Sequence, residues 1–391
     1  MAEAQAGERL QLVDVLRGFA LMALFLVHML ESFELYWADP QPGVVADTVF
    51  LLFMGKSFSL LALCFGFSFF VLMDRAARRG EDFTARFAWR LAILLAIGFF
   101  HSLVYRGDII QLLAGLGFVL LLAHRVQSNR VLIALAAFCF AGPILILQII
   151  AASSGAAWAN QPPHFFTDAA MPVYLTGTLG EALRMNLWEG QMPKWWFMLE
   201  SGRLVQIIGL YLVGMVLGRI GFFARAGEYA KARWIAFAIA AAFALMLHFG
   251  RDTLTGWFAG QDHGEAANRW FGLLLGSWFE LSGTTLWALI LIALWQGPLR
   301  MLVAPFAAAG RLTLTLYIAQ SMVFVPVFYG FGLGLWDDWS QPVRLWVGLA
   351  AIAAQLVLAA IWLRVFQYGP IEWGWRALTY LRRDIPFVRR G

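Results

Sequence analysis

Two histidines, His28 and His101, are the side chains of this sequence best suited to chemistry. Imidazole titrates near neutral pH without perturbation, so either could act as general base toward a hydroxyl or amine. His101 is followed by Arg106, Gly107 and Asp108, and an aspartate near a histidine could orient it or stabilise its charge. His28 closes the run from Asp14, DVLRGFALMALFLVH. In a helix, Asp14 and Arg17 share a face and can pair. His28 then lies roughly 16 Å further along, in the opposite half of a bilayer. Ionisable residues inside a membrane point to function. The bland reading is that Asp14 and Arg17 anchor a helix end while His28 and His101 fill packing or interfacial positions. Two histidines with Asp108 or Glu31 could bind zinc, but no HxxxH-type spacing supports it, and no metal is expected. Lys56, Arg106 and Arg203 could grip an anionic group or merely snorkel.

These residues must be positioned by membrane helices. The chain has 391 residues, 61% of them hydrophobic and 14% charged, with a mean hydropathy of +0.70. That composition excludes a soluble enzyme, and apolar runs of spanning length recur throughout. Eighteen Trp and nine Tyr suit two interfacial belts. The net charge of +5 sits in short loops and gives no nucleic-acid signal. Cys64 and Cys139 both lie in apolar runs, so neither a disulfide framework nor a cysteine metal site is expected. No cleavable signal pattern opens the chain, and the first span is read as retained.

The expected fold is an all-α polytopic membrane protein of about ten spans, near 12–35, 45–73, 88–105, 109–123, 131–152, 201–220, 234–250, 270–296, 304–329 and 343–366. The fourth is short and is reached by a tight turn at Tyr105–Asp108; the second is broken at Gly55, Lys56 and Ser57. Most Lys and Arg fall in loops on one side, around 75–90, 125–130, 219–233, Arg300 and the tail with Arg376, Arg382, Arg383, Arg389 and Arg390. Both termini are therefore expected in the cytoplasm. The whole chain, 1–391, reads as one integral-membrane domain. Residues 1–152 form an N-terminal five-span region, residues 153–200 an outer loop with an interfacial segment near 179–199, and residues 201–391 a C-terminal five-span region.

Polar residues divide by depth. His28, Glu31, Lys56, His101, Arg106, Asp108, Gln111, Arg203 and Gln206 fall toward the outer face. Asp14, Arg17, Arg311, Arg364, Glu372 and Arg376 fall toward the cytoplasm, with Gln320 and Ser321 near mid-membrane. An unpaired buried charge costs several kcal/mol, so these groups should face a cavity or each other. A polar core between two polar mouths suits a channel, a transporter or an enzyme fed from both sides.

Several stretches carry a resemblance. Arg9-Leu10 with Asp14 to Ala20 (DVLRGFA), Phe53 to Phe67 (FMGKSFSLLALCFGF), and Arg106 to Ile110 with His101 resemble the YeiB family of bacterial inner-membrane proteins. So do Gly310 to Ser321 (GRLTLTLYIAQS) and Phe366 to Arg376 (FQYGPIEWGWR). That family is similar to a wider group of transmembrane acyltransferases, including the lysosomal heparan-glucosaminide N-acetyltransferase and bacterial enzymes that decorate surface glycans. In the glycan group an Arg and a His spaced as Arg17 and His28 are here mark the first span. The lysosomal enzyme, like many YeiB relatives, carries Asn where this chain has His28.

The resemblance implies a bacterial inner-membrane acyltransferase that moves an acyl group from cytoplasmic acyl-CoA to a glycan or small-molecule acceptor at the outer face. Its acyl-CoA side would involve Arg17, Lys56, Arg311, Glu372 and Arg376. His28 or His101 would be the base, with Asp108 and Gln320 beside them and Lys56, Gln320 or Gln111 for the oxyanion. The acceptor side would be Glu31, Arg106, Gln111, Arg203 and Gln206. A homodimer is plausible by analogy with the lysosomal relative. Two other readings compete: a transporter or exporter of a small anionic or amphipathic solute, and a non-catalytic scaffold.

Overall fold

The fold follows from apolar helices punctuated by glycine and proline. The computed structural model describes residues 2–166 and 168–389, with residues 2–10 described by backbone alone. The side chains of Arg9 and Leu10, and all of Arg390, lie outside the described residues. Among those described, regular structure is helical apart from one bridge between Phe366 and Val388. The helices are α1 (Ala2–Leu30), α2 (Val44–Phe53), α3 (Lys56–Ala77), α4 (Thr84–Val104), α5 (Ile110–Ala123), α6 (Asn129–Ala141) and α7 (Pro143–Ser153). Next come α8 (Met171–Thr176), α9 (Leu179–Met185), α10 (Met192–Glu200), α11 (Arg203–Arg219), α12 (Ala230–Ala259) and α13 (Glu265–Gln296). The chain closes with α14 (Arg300–Val303), α15 (Phe306–Arg311), α16 (Thr313–Phe328), α17 (Gln341–Val365) and α18 (Pro370–Tyr380).

Six described stretches are long and apolar enough to cross a membrane, and up to eight if two bent pairs each count as one span. The bends have local causes. Gly142, at φ +82°, followed by Pro143 separates α6 from α7 at 41°. Gly202 separates α10 from α11, the second bent pair, at 65°. α5 and α16, which match the expected fourth and ninth spans, are apolar but shorter than the spanning stretches. The expected break in the second run falls between α2 and α3, where Gly55 takes φ +73° against the Glu280 carboxylate.

The core is built on close helix crossings. A Cβ at Gly18 would overlap the carbonyl oxygen of Phe306, and one at Gly310 that of Asp14, so α1 and α15 touch backbone to backbone. Gly66 and Gly214 do the same between α3 and α11. Small residues give such contact its packing energy where lipid supplies no hydrophobic drive. α1, α3, α4, α5, α11 and α16 surround the main core, whereas only 17% of the apolar window of α12 is buried. Gly310→Ala should therefore lower stability by about 2 kcal/mol, read as a drop in unfolding temperature in detergent. Gly272→Ala, on α13 with open space around it, should be neutral or stabilising by up to about 1 kcal/mol.

Candidate functional site

His101 occupies the last turn of α4, and the tight turn at 105–108 folds Asp108 back onto it. Asp108 Oδ1 lies 2.7 Å from His101 Nδ1, while Oδ2 accepts the backbone N–H of Gln111 at 2.7 Å in the first turn of α5. Asp108 is fully buried, so its charge needs these partners. A carboxylate at Nδ1 holds the ring proton there and leaves Nε2 with a lone pair. That Nε2 is buried and has no partner among the described residues.

His28 is a second, looser version of the same arrangement. Its Nδ1 lies 3.2 Å from Glu31 Oε2 and 3.2 Å from the Tyr105 hydroxyl, and its Nε2 is also buried without a described partner. Beyond α1, Ser32, Phe33 and Glu34 all take positive φ (47°, 51° and 80°), a strained run for non-glycine residues. The reversal leaves Glu31 on His28, with Trp37 Nε1 donating to Glu31 Oε1 at 3.1 Å, and sends Glu34 to Arg106. The Tyr105 ring joins the two histidines, 5.5 Å from His28 and 6.1 Å from His101 between ring centres.

Above this pair the expected outer side is tied shut. Arg106 donates to Glu34 and to Asp168, each at 2.6 Å, and its guanidinium lies 4.9 Å over the Tyr174 ring. Tyr174 in turn hydrogen-bonds Asn186, which donates to the Leu103 carbonyl at 2.9 Å. Lys194 on α10 reaches inward, its Nζ 3.3 Å from both the Asp108 carbonyl and Gln111 Oε1. The segment at 179–199, read from sequence as interfacial, thus contributes a cation to the site.

Toward the opposite, basic end runs a cavity of about 350 Å³ whose lining includes Arg17, Arg75, Arg90 and Arg311. Arg17 pairs with Asp14 at 3.1 Å and donates to the Gly310 carbonyl at 3.3 Å. Arg90 stacks 3.5 Å over Trp375, and Arg311 donates to the Gln367 carbonyl at 3.3 Å. Tyr317 and Ile109 also line the cavity. The Tyr317 hydroxyl accepts the Ile109 N–H at 3.1 Å, and its ring centre lies 5.2 Å from that of His101. One tyrosine therefore touches both the arginine-lined cavity and the His101–Asp108 pair.

The structure brings His28, Glu31, His101, Arg106, Asp108 and Gln111 into one cluster, and sets Arg17, Arg311 and Glu372 around the cavity. Glu372 accepts the backbone N–H groups of Leu314 (2.7 Å) and Thr315 (3.0 Å), capping α16 and so orienting Tyr317. Burial pushes its carboxyl above the usual range against the hydrogen bonds it accepts. The other residues lie elsewhere. Lys56 donates to the Met54 carbonyl at 3.3 Å and covers Phe279. Arg203 pairs with Glu280 at 2.7 Å, and Gln206 bonds Ser277 at 3.2 Å. Gln320 is held by Gln355 at 2.8 Å, and Arg376 is exposed between Tyr368 and Tyr380. Sequence reasoning missed Tyr105, Tyr317, Lys194 and Arg90. Tyr105 and Tyr317 sit inside stretches already singled out, but nothing in their spacing marks contact with His101.

Fold and site together define an all-helical, polytopic membrane protein with a buried histidine–carboxylate core. Residues 217–382 match a family described as Protein of unknown function (DUF418). The chain is 26% identical to the uncharacterized protein YxaH of Bacillus subtilis, over 96% of this chain and 95% of that one. It is also 26% identical to the uncharacterized protein YeiB of Escherichia coli, over 98% of this chain and 99% of that one. Over nearly its full length the chain is thus similar to YeiB-like proteins. Arg106→Met should strand Glu34 and Asp168 without their cation and cost about 3 kcal/mol, read as a lower unfolding temperature in detergent.

Proposed function

We propose that this protein is a transmembrane acyltransferase that carries an acyl group from cytoplasmic acyl-CoA to a hydroxyl or amine acceptor on the other side. One observation carries the reading. Tyr317 joins an arginine-lined cavity to a buried His101–Asp108 pair whose Nε2 is free. The arginines suit the phosphates of CoA, because guanidinium forks match phosphate oxygens. The cavity then leads toward the histidine from the basic end. In this scheme His101 Nε2 takes the acceptor's proton as the acceptor oxygen or nitrogen attacks the thioester carbonyl. The imidazolium returns that proton to sulfur as the C–S bond breaks, and Asp108 stays ionised throughout. Lys194 adds positive charge beside the pair, and His28, linked through Tyr105, orients the acceptor.

His101 is favoured over His28 as base because its carboxylate partner is closer and fully buried, and because its ring packs against Tyr317. A second reading, a transporter of a small anionic or amphipathic solute, draws on the Arg106 clamp closing one end while arginines line the other.

The test is transfer of labelled acyl groups from acetyl-CoA and longer acyl-CoA to membrane or added glycan acceptors. His101→Ala should reduce transfer about 10²- to 10⁴-fold, and Asp108→Asn should reduce it while leaving acyl-CoA binding intact. Arg311→Ala should raise KM for acyl-CoA more than it lowers kcat. Undiminished transfer in His101→Ala would remove that histidine from the chemistry. Saturable solute flux with no acylated product would favour the transporter.

A further inference from the structure

A second cavity, of about 420 Å³, lies between the start of α12 and the end of α13, with the turn at 297–299. It is separate from the histidine cluster and its cavity, and its assignment does not rest on acyl transfer. Its walls are apolar, including Phe237, Ile290 and Leu294. Arg233 stands at its edge. The Arg233 Nε is buried without a hydrogen-bond partner, and no ion pair engages this guanidinium among the described residues. Only the Nε is enclosed; the residue is partly exposed, so the rest of its guanidinium can meet an anion at the rim of the groove.

The surroundings say what kind of ligand. α12 carries exposed Trp234, Ile235, Ile239, Phe243 and Phe249, a face suited to lipid tails. Lys231 and Arg233 lie in its first turns, Arg219 and Arg225 in the segment before it, and Arg300 beyond α13. Basic clusters at the end of an apolar span attract anionic headgroups. A second copy of this chain fits less well. A two-fold contact through this groove would set an unpaired Arg233 of each copy near the same patch of the other.

We propose that this groove is a binding site for an anionic phospholipid. The phosphate sits on Arg233 and one acyl chain lies along Phe237, Ile290 and Leu294.

The test uses the full chain purified in neutral detergent, with phosphatidylglycerol or phosphatidylcholine added in mixed micelles. Retained lipid is counted by native mass spectrometry, and oligomeric state is followed by light scattering. Wild type should retain phosphatidylglycerol over phosphatidylcholine. Arg233→Gln should weaken that retention about fivefold, the factor that corresponds to ~1 kcal/mol for one interfacial cation. Arg233→Lys should keep most of it, which separates loss of charge from loss of folding. Arg79→Gln, an exposed position 3.2 Å from Glu81 and outside this basic cluster, should change nothing. Equal retention of the two lipids by wild type, or equal phosphatidylglycerol retention by wild type and Arg233→Gln, overturns the proposal. So does a dimer that Arg233→Gln converts to monomer, because the groove would then be an interface between copies.

Discussion

A buried carboxylate constrains everything around it. Asp108 is fully buried, and its ionised form is tolerable only because His101, the Gln111 N–H and the nearby Lys194 ammonium surround it. Each partner comes from a different piece of chain: the end of α4, the start of α5 and the segment α10. The turn at 105–108, the brevity of α5 and the inward course of α10 are therefore linked consequences of housing one charge. A polar network satisfied in this way also specifies a single arrangement, since any slip leaves a charge unpaired.

The same logic separates the two ends of the molecule. Glu34, Arg106 and Asp168 neutralise one another above the histidines, while arginines gather around the cavity below. Between them stand Tyr105 and Tyr317, which supply polar contact at mid-depth without a formal charge. A tyrosine is a sound choice for such a partition. Each ring packs as an apolar wall, while the Tyr317 hydroxyl accepts the Ile109 N–H and the Tyr105 hydroxyl meets His28 Nδ1. Glu372, from α18, caps α16 and so helps fix the helix that carries Tyr317.

The family match covers 217–382, which holds Arg311, Tyr317 and Glu372 but neither histidine pair. The relatives in Bacillus subtilis and Escherichia coli align over nearly the full chain, histidine region included. The close crossing of α1 with α15 at Gly18 and Gly310 ties these two portions together. It fixes Arg17, from the first helix, beside Arg311, from the matched region.

Much of the fold was legible in the sequence because lipid leaves few choices. Apolar runs of spanning length must be helical, and glycine and proline mark where they bend, so the break at Gly55 and the turn at Tyr105–Asp108 could be read directly. The closeness of His101 and Asp108 was legible for the same reason: they flank one short turn. Depth along a helix follows from its rise, which separated Arg17 from His28. Azimuth does not. Whether a side chain faces lipid, a cavity or another helix depends on packing partners far away in sequence. For that reason Lys56, Arg203 and Gln206 fell together with the histidines by depth, yet the structure seats them with Glu280 and Ser277. Tyr317 meets His101 across more than two hundred residues, and Lys194 comes from a loop read as interfacial. Sequence alone determined that this chain is a bundle of membrane helices with charges it must hide. Only the tertiary structure decided which charges hide together, because that choice is set by helix rotation and close crossing, which no local pattern encodes.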